Sequence, residues 1–193
     1  MTSRPPSTDP TAPTGPATAT GPATAMDAWR SHTAVHARLA AHLARELTRA
    51  TGLSEADYQI LDVLLDAPRG RMRALELRWS LQWEKSRLSH QAARMGARGL
   101  LERHTCAEDA RGWDVVLTAA GREAAERARR VREESVRVLV LETLGAERLA
   151  HLAEAAALLS ERLERAAETD PDCGAVRAEM EKDRAQRSAG EAV

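Results

Sequence analysis

Residues 77–118 read LRWSLQWEKSRLSHQAARMGARGLLERHTCAEDARGWDVVLT, and this stretch decides the fold. A short helix ends at Leu81, and Trp83 fills the turn that follows. The periodicity predicts a second helix from about Lys85 to Arg98, which stops at Gly99 because glycine accepts the left-handed conformation that ends helices. Two helices joined by so short a turn indicate a helix–turn–helix unit.

The second helix of this unit has two chemically different faces. Its apolar positions follow the spacing i, i+4, i+7, which predicts one buried stripe of Leu88, Ala92 and Met95. Its other faces carry hydrogen-bond donors and acceptors, namely Lys85, Arg87, Ser89, His90, Gln91 and Arg94. Such side chains reach phosphates and base edges, so we expect this helix to bind duplex DNA. A solvated helix face is the plainer alternative.

A hairpin is expected after the second helix. Its strands are predicted at about Leu101 to Cys106 and Trp113 to Leu117, with the turn-forming sequence EDARG at 108–112 between them. Thr118 is a natural N-cap for the helix that comes next. The predicted fold class is therefore mostly α, a winged helix-turn-helix with a two-stranded wing.

The charge of the chain is unevenly distributed. Residues 69–113 carry 10 basic and 5 acidic side chains, a net charge of +5, whereas the whole chain has −1. Positive charge concentrated on the helix–turn–helix is typical of a phosphate-binding surface.

Several classes of protein are disfavoured by composition. The only two cysteines, Cys106 and Cys173, have no metal-ligand spacing, so we expect neither zinc nor any other cofactor. Residues 1–25 contain no apolar run that could form a signal peptide, and no stretch is long enough to span a membrane. A cytoplasmic protein is therefore expected. The sequence shows no nucleophile–base pair, no paired acids and no phosphate loop, so we do not expect an enzyme.

Helices are predicted on both sides of the winged unit. Asp27 to Ala50 carries an apolar stripe and ends at Gly52, and Ser54 with Asp57 forms a capping box for the next helix, which Pro68 ends. A short helix is expected at 73–81. After the wing, one long helix is expected to reach Leu144, Gly145 breaks it, and a last helix runs from about Ala146 to Glu168 with Leu149, Leu152, Ala156, Leu159 and Leu163 on one stripe.

The predicted domain organisation places the core between two tails. Residues 1–25 are rich in Thr, Pro, Ala and Gly, which predicts a disordered tail or, alternatively, a partner-binding one. Residues 26–169 form the main domain, with the winged unit at 53–121 and dimerisation helices at 27–51 and 122–169. Residues 170–193 are expected to be a flexible, charged tail.

Three segments carry a resemblance to a known family, the multiple-antibiotic-resistance regulator (MarR) family of bacterial transcription factors. WEKSRLSH at 83–90 resembles the start of that family's recognition helix, and GLLER at 99–103 resembles the segment that leads into the wing. DARG at 109–112, followed by LTAAG at 117–121, is similar to the wing tip and the entry to the next helix. The resemblance covers roughly Asp27 to Thr169 and neither tail.

The resemblance implies DNA contacts for particular residues. Arg87, Ser89, Gln91 and Arg94 would enter the major groove, and Lys85 and Ser86 would meet a phosphate at the helix start. His90 could equally pack, contact a phosphate or contact a base. At the wing tip the resemblance places Arg111 in the minor groove, with Asp109 supporting it.

The resemblance further implies a homodimer, a regulated function and a small-molecule effector. The expected function is that of a homodimeric repressor that reads a pseudo-palindromic operator and is released by a small ligand, such as an aromatic one. An architectural DNA-binding protein without an effector is the alternative. The side chains that could line the family's ligand pocket, or simply pack in a core, are Trp29, His32, His36 and Tyr58.

Three positions depart from the family or from its redox-sensing members. Gly96 lies inside the predicted recognition helix, and Glu84 stands where Ser or Thr would cap the helix better. Family members that sense peroxides use a cysteine in the first helix, and this first helix has none. Cys106 is therefore interpreted as a passive strand residue rather than an oxidation sensor.

Overall fold

The computed structural model describes residues 22–106 and 109–169, with the side chains of 24–105 and 113–167. It is mostly helical with one small antiparallel sheet, which confirms the predicted winged helix-turn-helix class. The helices are α1 (Pro22–Thr51), α2 (Glu55–Asp66), α3 (Ala74–Leu81), α4 (Lys85–Ala97), α5 (Ala119–Val136) and α6 (Glu142–Thr169). The strands are β1 (Arg71–Arg73), β2 (Leu101–Cys106) and β3 (Asp109–Leu117). The predicted tail at 170–193 lies outside the described residues.

The first helix begins earlier than the sequence predicted. It starts at Pro22 rather than Asp27, so the last residues of the predicted tail are helical. Residues 1–21 lie outside the described part of the chain. The chain divides at Ala40 into two compact units, and the winged unit belongs wholly to the second.

The core of the second unit is built from helices and two strands. The N-cap of α2 is Ser54, and the predicted capping box with Asp57 is present. Ile60, Leu61 and Leu64 of α2 are fully buried. Helices α3, α4 and α5 and strands β2 and β3 contribute further members of the same cluster, namely Leu77, Leu88, Ala92, Met95, Leu101, Val115, Ala124, Ala125 and Ala128.

The sheet has one strand more than predicted. Its order is β1-β3-β2, with antiparallel pairing throughout, so the wing strands continue into a third strand that precedes α3. The prediction of a helix beginning at Arg73 was wrong by one residue, because Arg73 pairs with Asp114 across the sheet. A three-residue strand is too short for its alternation of polar and apolar residues to be recognised, which is why it was missed.

Thr118 joins the end of α4 to the start of α5. Its hydroxyl accepts a hydrogen bond from the Gly121 amide at 2.9 Å, as an N-cap does, and donates one to the Gly99 carbonyl at 2.7 Å. Gly99 has φ +72°, the left-handed conformation that ends a helix. The predicted cap is therefore confirmed, and its hydroxyl also fixes the exit from α4.

Replacing Thr118 with alanine should lower the free energy of unfolding by about 0.5–2 kcal/mol, the range measured for lost N-caps. Urea unfolding followed by circular dichroism measures the change. Thr118→Ser is the matched control, because serine keeps the hydroxyl and should retain most of the stability. Equal stability of the alanine and wild-type proteins would contradict the role of this cap.

The predicted long helix after the wing is interrupted. A single π-helical turn at Arg137–Leu141 separates α5 from α6. The predicted break at Gly145 is present as a kink inside α6, where Gly145 has φ 71°. Within the described ranges, no helix has both the length and the apolar character that crossing a bilayer requires.

Candidate nucleic-acid interface

Helix α4 presents one buried and one exposed face, as its periodicity predicted. The buried stripe of Leu88, Ala92 and Met95 is confirmed, with at most 2% of each residue exposed. The exposed side chains are those of Lys85, Ser86, Arg87, His90 and Arg94, and Ser89 is half-buried. Since the apolar stripe fixes the helix on the core, the charged face has a defined orientation.

The start of α4 is open to an anion. Its N-cap is Glu84, and as expected the Glu84 side chain makes no capping hydrogen bond. The first backbone amides of a helix have no partner within the helix and favour negative charge. Lys85 and Ser86 are exposed beside these amides, so the start of α4 suits a phosphate oxygen.

Arg87 is held in place by an aromatic ring. Its guanidinium carbon lies 4.0 Å from the centre of the Trp83 ring. Trp83 is buried in the turn between α3 and α4, with 7% of its surface exposed. This cation–π contact restricts an otherwise flexible side chain on the exposed face, and a restricted arginine loses less entropy when it binds.

The expectation that Gln91 lies on the exposed face of α4 is wrong. Gln91 is buried, with only 4% of its surface exposed. Its Nε2 donates a hydrogen bond to Asp57 Oδ1 at 2.6 Å. The buried Asp57 carboxylate lacks a hydrogen-bonding solvent and attracts the amide inward. The Gln91 Oε1 accepts a hydrogen bond from Arg94 of the exposed face.

Asp57 connects the start of α2 to α4. Its Oδ2 accepts hydrogen bonds from the Ser54 amide at 2.9 Å and from Arg98 Nη1 at 2.8 Å. Burial raises the pKa of Asp57, but the hydrogen bonds from Ser54 and the Arg98 guanidinium outweigh burial and hold the pKa below its usual value. The carboxyl group is therefore ionised at neutral pH.

A second buried carboxylate anchors the wing to β1. Asp114 accepts a hydrogen bond from Arg71 Nε at 2.6 Å and lies 3.6 Å from Arg73 Nη1. On the same hairpin, the Arg103 guanidinium lies 3.8 Å from the centre of the Trp113 ring. These contacts fix the base of the wing. The side chains of Cys106, Asp109 and Arg111 lie outside the described residues, so their roles stay predictions.

Three of the predicted pocket residues share one face of α1. The ring centres of Trp29 and His32 are 5.7 Å apart, and those of His32 and His36 are 6.3 Å apart. All three residues are exposed within the first unit. Throughout residues 22–106 and 109–169, no group of three or more His, Cys, Asp or Glu side chains is placed to hold a metal ion.

Tyr58, the fourth predicted pocket residue, lies on α2 and faces α5. The Arg132 guanidinium is 4.9 Å from the centre of its ring. Burial and the neighbouring Asp62 carboxylate raise the pKa of Tyr58 to about 12. Around it, Arg132 pairs with Glu55, and Arg129 bonds Asp62 and Asp66, both at 2.8 Å. A pocket that uses all four residues stays a prediction.

Sequence reasoning missed the residues that support the exposed side chains. Asp57 was recognised as a helix cap but not as the partner of Gln91, and Asp114 was given no role. Asp114 interrupts the apolar sequence WDVVL at 113–117, and that signal could have marked it as a buried partner of arginine. Asp57 gives no such signal, because Glu55 and Asp62 lie close to it on the same helix.

Solved structures with a similar fold include regulators bound to DNA. AbsC, a MarR family transcriptional regulator from Streptomyces coelicolor, is 34% identical over 76% of this chain and 99% of its own, with a TM-score of 0.69. Sco3205, a MarR family transcriptional regulator from the same organism solved in complex with DNA, is 33% identical over 78% of this chain and 92% of its own, with a TM-score of 0.69. A mutant MarR from E. coli, complexed with operator DNA, shares the fold at 21% identity over 68% of this chain and 92% of its own, with a TM-score of 0.57. Neither a protein-family model nor a curated protein matched the chain.

Proposed function

Since the chain belongs to the MarR family of DNA-binding transcriptional regulators, which are not enzymes, we propose that it is a homodimeric repressor. It binds a pseudo-palindromic operator in duplex DNA and leaves it when a small ligand binds. A transcriptional regulator works where the DNA is, so we also propose a cytoplasmic location. The exposed, positively charged face of α4 is the observation that carries this proposal.

The DNA contacts follow from the placement of that face. Lys85 and Ser86 meet a phosphate at the start of α4, and Arg87 and Arg94 point their guanidinium groups to base edges in the major groove. Ser89 and His90 supply further hydrogen bonds. Arg111 of the wing tip enters the adjacent minor groove, with Asp109 as its support.

Dimerisation is supported by apolar surface that a single chain leaves uncovered. On α6, Leu152, Leu159 and Leu163 expose 45%, 55% and 69% of their surfaces. On α1, Met26 and Trp29 expose 51% and 52%. Exposed apolar surface of this kind marks an interface, and α1 and α6 of two copies would cover one another's apolar residues around a two-fold axis.

The regulatory mechanism is a shift between dimer shapes. In one shape the two copies of α4 are about 34 Å apart, one helical turn of DNA, and both enter successive major grooves. A ligand that binds another shape more tightly draws the population away from the operator. The aromatic and imidazole rings of Trp29, His32, His36 and Tyr58 suit a small aromatic ligand. Thermal-shift screening against small aromatic acids separates this regulator from an architectural DNA-binding protein without an effector.

Arg87→Ala and Arg111→Ala should weaken DNA binding in different ways. Loss of Arg87 should relax sequence choice by about 1–3 kcal/mol, the value of a bidentate base contact. Loss of Arg111 should weaken binding to all duplexes and reduce the salt dependence by about one unit of slope. The measurement is binding to a selected duplex and its scrambled version across a salt series.

Circular dichroism of both variants controls for folding in that experiment. Wild-type affinity of both variants for both duplexes would contradict the assignment of α4 and the wing as the DNA-binding surface.

A further inference from the structure

The Gln91 amide has a fixed polarity. An ionised carboxylate only accepts hydrogen bonds, so Gln91 must turn its Nε2 toward Asp57, where the two atoms are 2.6 Å apart. The amide oxygen Oε1 then faces away from Asp57, and there it accepts a hydrogen bond from Arg94 Nη2. A buried carboxylate of α2 is thus connected, through one amide, to an exposed guanidinium on α4.

Each group in this connection has one orientation. Asp57 is 3% exposed and is held by the Ser54 amide and by Arg98, so its carboxylate cannot turn to another partner. Gln91 is 4% exposed and has no room for a second rotamer in a close-packed core. Arg94 alone is exposed, and one of its N–H groups is already directed inward.

We propose that Gln91 is a positioning residue: its amide is anchored on the buried Asp57 carboxylate and holds the Arg94 guanidinium in the orientation that reads a base edge. The inference builds on the DNA-binding role proposed above. Gln91 contacts no base itself. Arg94 uses its remaining N–H groups for the O6 and N7 acceptors of a guanine, and the fixed orientation reduces the entropy that binding costs.

A double-mutant cycle on the full chain tests this connection. The probes are a duplex that the wild-type protein selects from a random library and the scrambled version of that duplex. Arg94→Ala should reduce the preference for the selected duplex by about tenfold, within the range of a lost base contact. Gln91→Met, which keeps the side-chain volume, should reduce this preference nearly as much. The double variant Gln91→Met/Arg94→Ala should show no greater reduction than Arg94→Ala alone. Damage to the fold alone would weaken binding to both duplexes and leave their ratio unchanged.

Arg98→Met is the matched control. It removes the arginine that contacts Asp57 directly, but keeps the hydrogen bonds that Gln91 donates to Asp57 and that Arg94 donates to Gln91. The effects of Arg98→Met and Arg94→Ala on the preference for the selected duplex should therefore be additive in the double variant. If circular dichroism shows that Gln91→Met does not fold, Asp57→Asn replaces it in the cycle, because it removes the charge behind the amide at constant size and should show the same non-additivity.

The outcomes separate this inference from the proposed function. Additive effects of Gln91→Met and Arg94→Ala, or a Gln91→Met protein with the wild-type preference, would overturn the positioning role and leave the DNA-binding proposal intact. A wild-type protein that selects no duplex from the library would overturn the proposed function, and the positioning role with it.

Discussion

Gly121→Ala should strongly destabilise the winged unit. An added Cβ at Gly121 would lie 2.0 Å from the Leu100 carbonyl oxygen and 3.0 Å from its carbon. Both are backbone atoms, so no change of rotamer relieves the clash. Leu100 follows the end of α4 and Gly121 lies in the first turn of α5, so the two segments would have to separate. We expect a loss of about 3 kcal/mol or more, at the upper end of overpacking costs, out of a total stability of about 5–15 kcal/mol.

Gly96→Ala is the control for that experiment. An added Cβ at Gly96 meets only the Leu101 carbonyl oxygen, at 3.6 Å, which is an ordinary contact. Because Gly96 lies inside α4, alanine there should stabilise the protein by about 1 kcal/mol through its higher helix propensity. The same substitution thus has opposite effects at two glycines. Urea unfolding of both variants measures the difference, and comparable stability of the two would show that α4 and α5 are not in close contact at this point.

The sequence predicted the parts of the fold that have a regular pattern. The stripe of Leu88, Ala92 and Met95 and the caps at Ser54 and Thr118 follow from the spacing of residues close together in the chain, and all are present. The glycine of LTAAG was recognised only as part of a motif. Its reason, the approach of the Leu100 carbonyl, involves a segment distant in sequence and needs the packed structure.

The sequence predicted which types of residue form the candidate site, but not which buried residues they contact. Periodicity places Gln91 within one turn of both Leu88 and Met95, on the border between the faces of α4, where sequence alone does not decide its direction. Its direction is decided by Asp57, which lies 34 positions earlier in the chain. The Asp57 carboxylate is buried, so it requires hydrogen-bond donors from the protein. Strand β1 was missed for a similar reason, since the Asp114 carboxylate that binds Arg71 and Arg73 lies on a strand far along the chain.

Leu159→Glu combined with Leu163→Glu should convert the protein into a monomer and reduce operator affinity by about 100-fold or more. These leucines lie four residues apart on one face of α6 and are more than half exposed in the single chain. In the proposed dimer they would be buried, and two carboxylates at such an interface would have to lose their hydration without a partner. A monomer binds the two half-sites separately, so it loses the gain of about 10²–10⁴ that linked binding supplies.

Arg165→Glu is the matched control for the leucine pair. It changes the net charge by the same two units but lies on the opposite face of α6, where Arg165 pairs with Glu161 and is 60% exposed. Sedimentation measures the assembly state of both variants, and binding to the selected duplex measures affinity. The control should remain dimeric and bind like the wild type. Since both leucines are exposed in the single chain, the leucine variant should keep its helical circular dichroism. A leucine variant that stays dimeric would show that α6 does not form the proposed interface. A monomeric variant that binds DNA as tightly as the wild type would show that the mechanism does not depend on bivalent binding.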